Sequence, residues 1–266
     1  MERTLFMREA LLIIEIGNSS TDIAVFQQDR CLECLRVPTI SLASLRDIES
    51  SLNELLQRHQ TIRVAGVCSV VPRLTDLFAV ALKELFSMRI VGIDSTLDLP
   101  FRFEYSPRES FGPDRIALLA ISAGIYPQKA VIAVDIGTAM TFDVLDSSHR
   151  YRGGMILPGI DLMAFSLHDR TARLPLVRIS DSASLLGRST ESCIRSGIYW
   201  GCIKQVDGIL GEIRDFLQTE TGDTDVEVLM TGGNCRMVAS GLSVAVTVDE
   251  HAVLKGAGML VGMNSA

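Results

Sequence analysis

The 266-residue sequence predicts an α/β fold built from two similar lobes, 1–125 and 126–266. Three observations carry that expectation. A segment near the start recurs 120 residues later; short β-branched runs alternate with helical periodicity; and 47% of the chain is hydrophobic, enough for a large core. The repeat is LLIIEIGNSSTDIAVFQQDR (11–30) against VIAVDIGTAMTFDVLDSSHR (131–150). Glu15 aligns with Asp135, Gly17 with Gly137 and Thr21 with Thr141. So long a period indicates duplicated lobes rather than a solenoid.

In chain order, each copy opens with a buried-strand pattern, turns at glycine and continues as a second strand (22–26 and 141–145), which is a hairpin signal. Residues 44–58 place Leu45, Ile48, Leu52, Leu55 and Leu56 on one helical face, with Ser44 and Asp47 spaced as a capping box. Residues 67–72 predict a buried strand ended by Pro72, followed by a helix over 73–87. A helix is expected over 114–124, one long helix or two over 190–218, a strand over 226–230 running into Thr231-Gly232-Gly233, and a buried helix over 252–263.

Composition narrows the function classes. The net charge of −7, from 25 basic and 32 acidic residues, argues against a general nucleic-acid binder. Met1 to Ala10 carries four charges and reads as no secretion signal, and no apolar run is long enough to span a bilayer, so a cytosolic protein is expected. The six cysteines sit mostly in apolar runs. Cys31 and Cys34 form a CxxC without the second ligand pair that a zinc site needs. His59, His149, His168 and His251 show no ligand spacing, and Trp200 beside Tyr199 reads as core or interface.

Neither GxxxxGK[ST] nor GxGxxG is present at the turns. What is present is an acidic residue two positions before a glycine at a strand end, twice. A carboxylate there can hold hydrated Mg²⁺ beside backbone N–H groups that receive phosphate oxygens. Two such turns facing each other form the phosphate clamp of the actin/sugar-kinase/Hsp70 arrangement. Gly112-Pro113-Asp114-Arg115 reads either as a plain helix start or as an acid–base and anion-binding pair. Thr231-Gly232-Gly233 reads as a turn or as a surface for adenosine.

Together these motifs resemble the type III pantothenate kinase family along nearly the whole chain. The matching pieces are Glu15-Ile16-Gly17-Asn18-Ser19, Ser69-Val70-Val71-Pro72, Tyr105 with Pro107, Gly112-Pro113-Asp114-Arg115, Asp135-Ile136-Gly137-Thr138-Ala139, Gly153-Gly154 with Leu157-Pro158-Gly159, Thr171-Ala172 with Leu174-Pro175, and Gly187-Arg188-Ser189-Thr190. The resemblance implies an actin-like ATPase fold of two ribonuclease H-like lobes with the active site in the interlobe cleft. It implies ATP-dependent phosphorylation of pantothenate to 4′-phosphopantothenate, the first step of coenzyme A biosynthesis. By the same resemblance, residues 15–19 bind phosphates and Mg²⁺, Gly137 and Thr138 complete the cradle, and Asp135 lies near the metal and a monovalent cation, K⁺ or NH₄⁺. Asp114 is the general base; Tyr105, Gly112, Pro113 and Arg115 hold pantothenate; Thr190 reaches the partner's substrate site in a homodimer.

Two positions depart from the family pattern. Glu15 stands where the family has Asp, placing its carboxylate about 1.5 Å further out, and Leu118 stands where an Asn is usual. These departures favour one alternative, a catalytically impaired paralogue acting as a nucleotide-binding or regulatory dimer. Another alternative is a kinase of the same superfamily acting on a sugar, against which Asp114-Arg115 after Tyr105 argues.

Overall fold

The run Ala10–Ile16 forms β1, and Ser20–Gln27 returns antiparallel to it as β2. The third strand, β3 (Arg30–Pro38), pairs with β2. Helix α1 (Leu45–Arg58) begins at the predicted capping box: Ser44 Oγ accepts from Asp47 N at 3.4 Å, and Asp47 Oδ2 accepts from Ser44 N at 2.8 Å. Such a cap contributes about 1 kcal/mol. Strand β4 (Val64–Ser69) runs parallel to β1, and α2 (Pro72–Val80) starts with proline at its first position, where the missing N–H has no intrahelical partner to lose. A single π turn, Ala81–Leu85, extends α2 and ends the expected 73–87 helix early. Strand β5 (Arg89–Gly92) and helix α3 (Pro113–Ile125) follow. The computed structural model describes residues 10–28, 30–180 and 182–265. Residues 1–9, which carry the expectation of no secretion signal, lie outside the described residues.

The second half repeats the plan. Strands β6 (Ala130–Ile136), β7 (Ala139–Leu145) and β8 (Tyr151–Pro158) form an antiparallel meander. Helices α4 (Ile160–Asp169) and α5 (Thr190–Glu220) follow; the 190–218 pattern is thus one helix of 31 residues, capped by Ser189. Strand β9 (Val226–Thr231) lies parallel to β6, then come the short α6 (Cys235–Ala239) and β10 (Thr247–Val248). Helix α7 (Ala252–Asn264) closes the chain. The two sheets have orders β3-β2-β1-β4-β5 and β8-β7-β6-β9-β10, the same topology twice. No helix of the described residues is long and apolar enough to cross a membrane.

The chain divides into two compact units, Met1–Ile125 with His251–Ala266, and Tyr126–Glu250. Residues 251–266, assigned to the second lobe on sequence, therefore pack with the first. In the first unit, Leu12, Ile14 and Ile16 alternate onto the face covered by α1 and α2. Ile13 points the other way, toward α7, where a Cβ on Gly258 would sit 3.7 Å from it. A strand covered on both faces must be apolar throughout, which explains the unbroken run before Glu15. In the second unit, Ile132, Val134 and Ile136 meet Ile198, Val206 and Leu210 of α5. Each such side chain contributes about 1.5–3 kcal/mol on burial.

Helix α7 meets α3 at a close crossing. A Cβ on Gly256 would collide with the backbone of Ala117. Gly256→Ala is expected to lower stability by about 1–3 kcal/mol through overpacking, read as a shift of the urea midpoint. Gly197→Ala, on an α5 surface where a Cβ meets nothing within 4 Å, is expected to be neutral or stabilising by up to about 1 kcal/mol.

Candidate active site

Each unit carries one acidic–glycine turn at the C-terminal end of its first strand. In the first unit Gly17 N donates to Ser20 O at 3.0 Å and closes the turn. Thr39, just beyond β3, braces it: its N–H donates to Ser19 O at 3.0 Å and its hydroxyl to Gly17 O at 2.8 Å. Ile16 lies in the core and its carbonyl accepts from Val70 N at 3.0 Å, tying the turn to the Ser69-Val70-Val71-Pro72 segment. Asn18 and Ser19 are exposed, and Glu15 is partly exposed at the end of β1.

Glu15, Asp22 and Arg36 stand in register across β1, β2 and β3. Side chains in register share a sheet face. Arg36 Nε and Nη2 donate to the two oxygens of buried Asp22 at 2.7 and 2.8 Å, a bidentate pair. Those bonds raise the pKa of the Arg36 guanidinium; burial opposes them and the Glu15 charge adds to them. The row therefore places the carboxylates of Glu15 and Asp22 and the Arg36 guanidinium on one sheet face near the turn.

Asp114 opens α3, and its Oδ1 accepts from Arg115 N at 2.9 Å, which fixes the carboxylate at the helix start. A Cβ on Gly112 would meet that same oxygen, so a side chain there would displace the carboxylate from this position. The Arg115 side chain is buried with its guanidinium 4.1 Å from the Phe111 ring centre. Phe111 packs edge-on to Tyr105 and Phe103, both at 4.8 Å, and Tyr105 stacks on Phe103 at 6.0 Å. Pro113 is the first residue of the helix. Tyr105, Gly112, Asp114 and Arg115 thus share one aromatic cluster. Phe103 and Phe111 were missed on sequence, although the alternation Phe101, Phe103, Tyr105 was a visible sign of one shared face.

In the second unit Gly137 N donates to Ala139 O at 3.0 Å, and Gly159 N donates to Thr138 O at 3.0 Å. Asp135 pairs in register with Thr141 and Thr231. Thr231-Gly232-Gly233 leads into α6 through Gly232 at φ +95°, and a Cβ there would collide with Asp135 Oδ1 and the Ile136 backbone. That predicted glycine pair therefore packs directly on the second acidic turn. Thr190 is exposed at the first turn of α5. The expected site residues thus lie at 15–19 and 105–115 in the first unit, and at Asp135, Gly137, Thr138 and Thr190 in the second.

The donor set suits a hydrated Mg²⁺. Each turn offers one hard carboxylate, and among the described residues no group of three or more His, Cys, Asp or Glu forms a larger cage. Mg²⁺ is ordinarily held by one or two carboxylates with water and phosphate oxygens, so these residues fit it. The same absence, together with free thiols at Cys31 and Cys34, leaves the CxxC without zinc partners among the described residues. Leu118 is fully packed in α3, where an apolar side chain replaces a polar one without a buried orphan. His59 bonds Glu33, His149 bonds the Tyr126 carbonyl and His168 the Leu174 carbonyl. Trp200 Nε1 donates to Ala183 O at 3.1 Å, which satisfies its half-buried ring.

Cys34 is exposed as a residue, but desolvation local to its thiol, with the Asp22 charge adding to it, pushes that thiol up to about 11. A raised thiol pKa means the neutral, unreactive form prevails at pH 8. Iodoacetamide labelling of Cys34, followed by mass spectrometry, is expected to be slow at pH 8 and to accelerate as pH approaches 11.

Comparison with known proteins gives one consistent picture. A family model described as type III pantothenate kinase matches residues 11–212. A type III pantothenate kinase of Chlorobaculum tepidum is 44% identical over 253 residues, covering 95% of this chain and 94% of its own. One from Dehalococcoides mccartyi is 33% identical over 266 residues, covering 98% and 100%. Among solved structures, a conserved Campylobacter jejuni protein assigned to the Baf family of transcriptional activators superposes with a TM-score of 0.58. It is 18% identical and covers 96% of this chain and 98% of its own, a likeness of fold.

Proposed function

The chain belongs to the type III pantothenate kinase family, and from that premise we infer ATP-dependent phosphorylation of pantothenate to 4′-phosphopantothenate, the first step of coenzyme A biosynthesis. The observation that carries the reading is the paired acidic–glycine turns within a chain 44% identical to a family member over 95% of its length. The fold is the actin-like ATPase fold, with its five-stranded topology present twice.

Phosphoryl transfer needs alignment and charge neutralisation more than covalent help. In the proposed assignment, backbone N–H groups of residues 16–19, with Gly137 and Thr138, receive the phosphate oxygens. Glu15 and Asp135 would hold Mg²⁺, which when bound neutralises charge on the phosphate oxygens. Asp135 would also lie near a monovalent cation, K⁺ or NH₄⁺. Tyr105, Gly112, Pro113 and Arg115 hold pantothenate, with the Arg115 fork suited to its carboxylate. Asp114 accepts the proton of the 4′ hydroxyl as that oxygen bonds the γ-phosphorus and the bond to ADP breaks. Its link to Arg115 N supports this role by fixing the carboxylate before substrate arrives. A cytosolic homodimer, with Thr190 contributed to the partner's substrate site, completes the proposal.

Glu15 lies in register beside the Asp22–Arg36 pair, at the end of β1. A longer carboxylate reaches an ion through water as well as directly. In a coupled ADP-release assay with ATP, Mg²⁺, ammonium and pantothenate, the parent protein is expected to turn over. Asp114→Asn is expected to lower kcat about 10²–10⁴-fold. An inert parent whose Glu15→Asp variant gains turnover would establish the impaired-paralogue alternative instead.

A further inference from the structure

Thr39 lies outside every motif used above, yet it touches the first turn at two points. Its hydroxyl carries one proton, and the Gly17 carbonyl can only accept, so the 2.8 Å bond uses that proton. Thr21 Oγ1, 3.0 Å from Thr39 Oγ1, must then be the donor of their shared bond. The result is a directed chain from Thr21 to Thr39 to Gly17 O among buried side chains, where each bond polarises the next. With the Thr39 N–H on Ser19 O, one residue holds two carbonyls of the turn.

That arrangement decides which backbone donor the turn presents. In a planar trans peptide the N–H points opposite to the C=O. Drawing the Gly17 carbonyl toward Thr39 therefore turns the Asn18 N–H away from it, at a residue that is itself exposed. The second unit meets the same need differently. Gly159, which like Thr39 follows a proline ending the third strand, donates its N–H to Thr138 O, and a Cβ there would collide with the Gly137 and Thr138 carbonyls. Backbone packs directly on that turn, whereas a hydroxyl fills the gap in the first unit.

We propose that Thr39 is a positioning residue for the nucleotide site, and that the Asn18 backbone N–H is the donor it aims at a phosphate oxygen. The inference rests on the reading of residues 15–19 as phosphate-binding.

Thr39→Val keeps the side-chain shape and removes the donor, while Thr39→Ser keeps the donor. Calorimetry of the full chain with an Mg²⁺-loaded non-hydrolysable ATP analogue and steady-state kinetics are the readouts. Thr39→Val is expected to weaken analogue Kd and raise ATP KM about tenfold with pantothenate KM unchanged, the size of one lost hydrogen bond. Thr39→Ser is expected to return to within about threefold of the parent. The Asn18 amide resonance should move on analogue addition in the parent and in Thr39→Ser, and much less in Thr39→Val. A folded Thr39→Val with parental affinity, or pantothenate KM rising in step with ATP KM, overturns the inference. If Thr39→Val does not fold, Thr21→Val serves: it removes only the outer donor and should weaken analogue binding about two- to threefold, and unchanged binding overturns the proposal. A parent that binds no nucleotide brings down the phosphate-binding reading and this inference with it. A parent that turns over beside an insensitive Thr39→Val brings down this inference alone.

Discussion

Backbone amides at the end of a strand pair have no further strand to bond, and each unit here is arranged to hold that end open in a defined shape. At residues 17–19 the shape comes from hydrogen bonds to carbonyls: Gly17 N to Ser20 O, Thr39 N to Ser19 O and the Thr39 hydroxyl to Gly17 O. At 137–138 it comes from Gly137 N to Ala139 O and Gly159 N to Thr138 O. The carbonyls of Gly17, Ser19 and Thr138 are thus occupied as acceptors. Under the proposed function an anion would complement these turns, and a cation would offset the carboxylates of Glu15 and Asp135 beside it.

Close approach of backbone supports the same ends. Gly232 lets the segment after β9 lie on Asp135 and Ile136, and Gly112 lets the start of α3 fold onto the Asp114 carboxylate. A side chain at either place would move the acidic group that it touches. Beside Asp114, the Arg115 guanidinium lies over the Phe111 face, and Phe111 in turn packs edge-on to Tyr105. Rings of this kind lose little entropy on ordering and attract a cation to their faces.

Much of the architecture was readable in the chain because it rests on local rules. The 120-residue repeat became two sheets of identical order, and Ser44 with Asp47 became a capping box. The acidic–glycine turns sit at strand ends as their pattern implied. What was not readable depends on pairing between distant strands. The Arg36–Asp22 pair joins residues 14 apart and needs the β2–β3 register; the Thr39 brace spans 22 residues and needs the end of β3 to return to the turn. No periodicity encodes either. The place of α7 was missed for a related reason: its small, apolar sequence reads as buried but does not say against which sheet.

The first unit is discontinuous, since α7 joins α3, β1 and β4 while residues 126–250 form the second unit between them. A nascent chain leaving the ribosome therefore carries the first unit in unfinished form, with the α7-facing side of Ile13 and Ala117 bare, while the second unit already has its whole sequence at hand. The contiguous unit is able to condense first, and the unit that holds β1 to β5 is completed only when α7 arrives. A short, glycine-containing helix that docks at the end, without long apolar side chains on every face, is well matched to such a late arrival, because it closes a preformed slot rather than nucleating one.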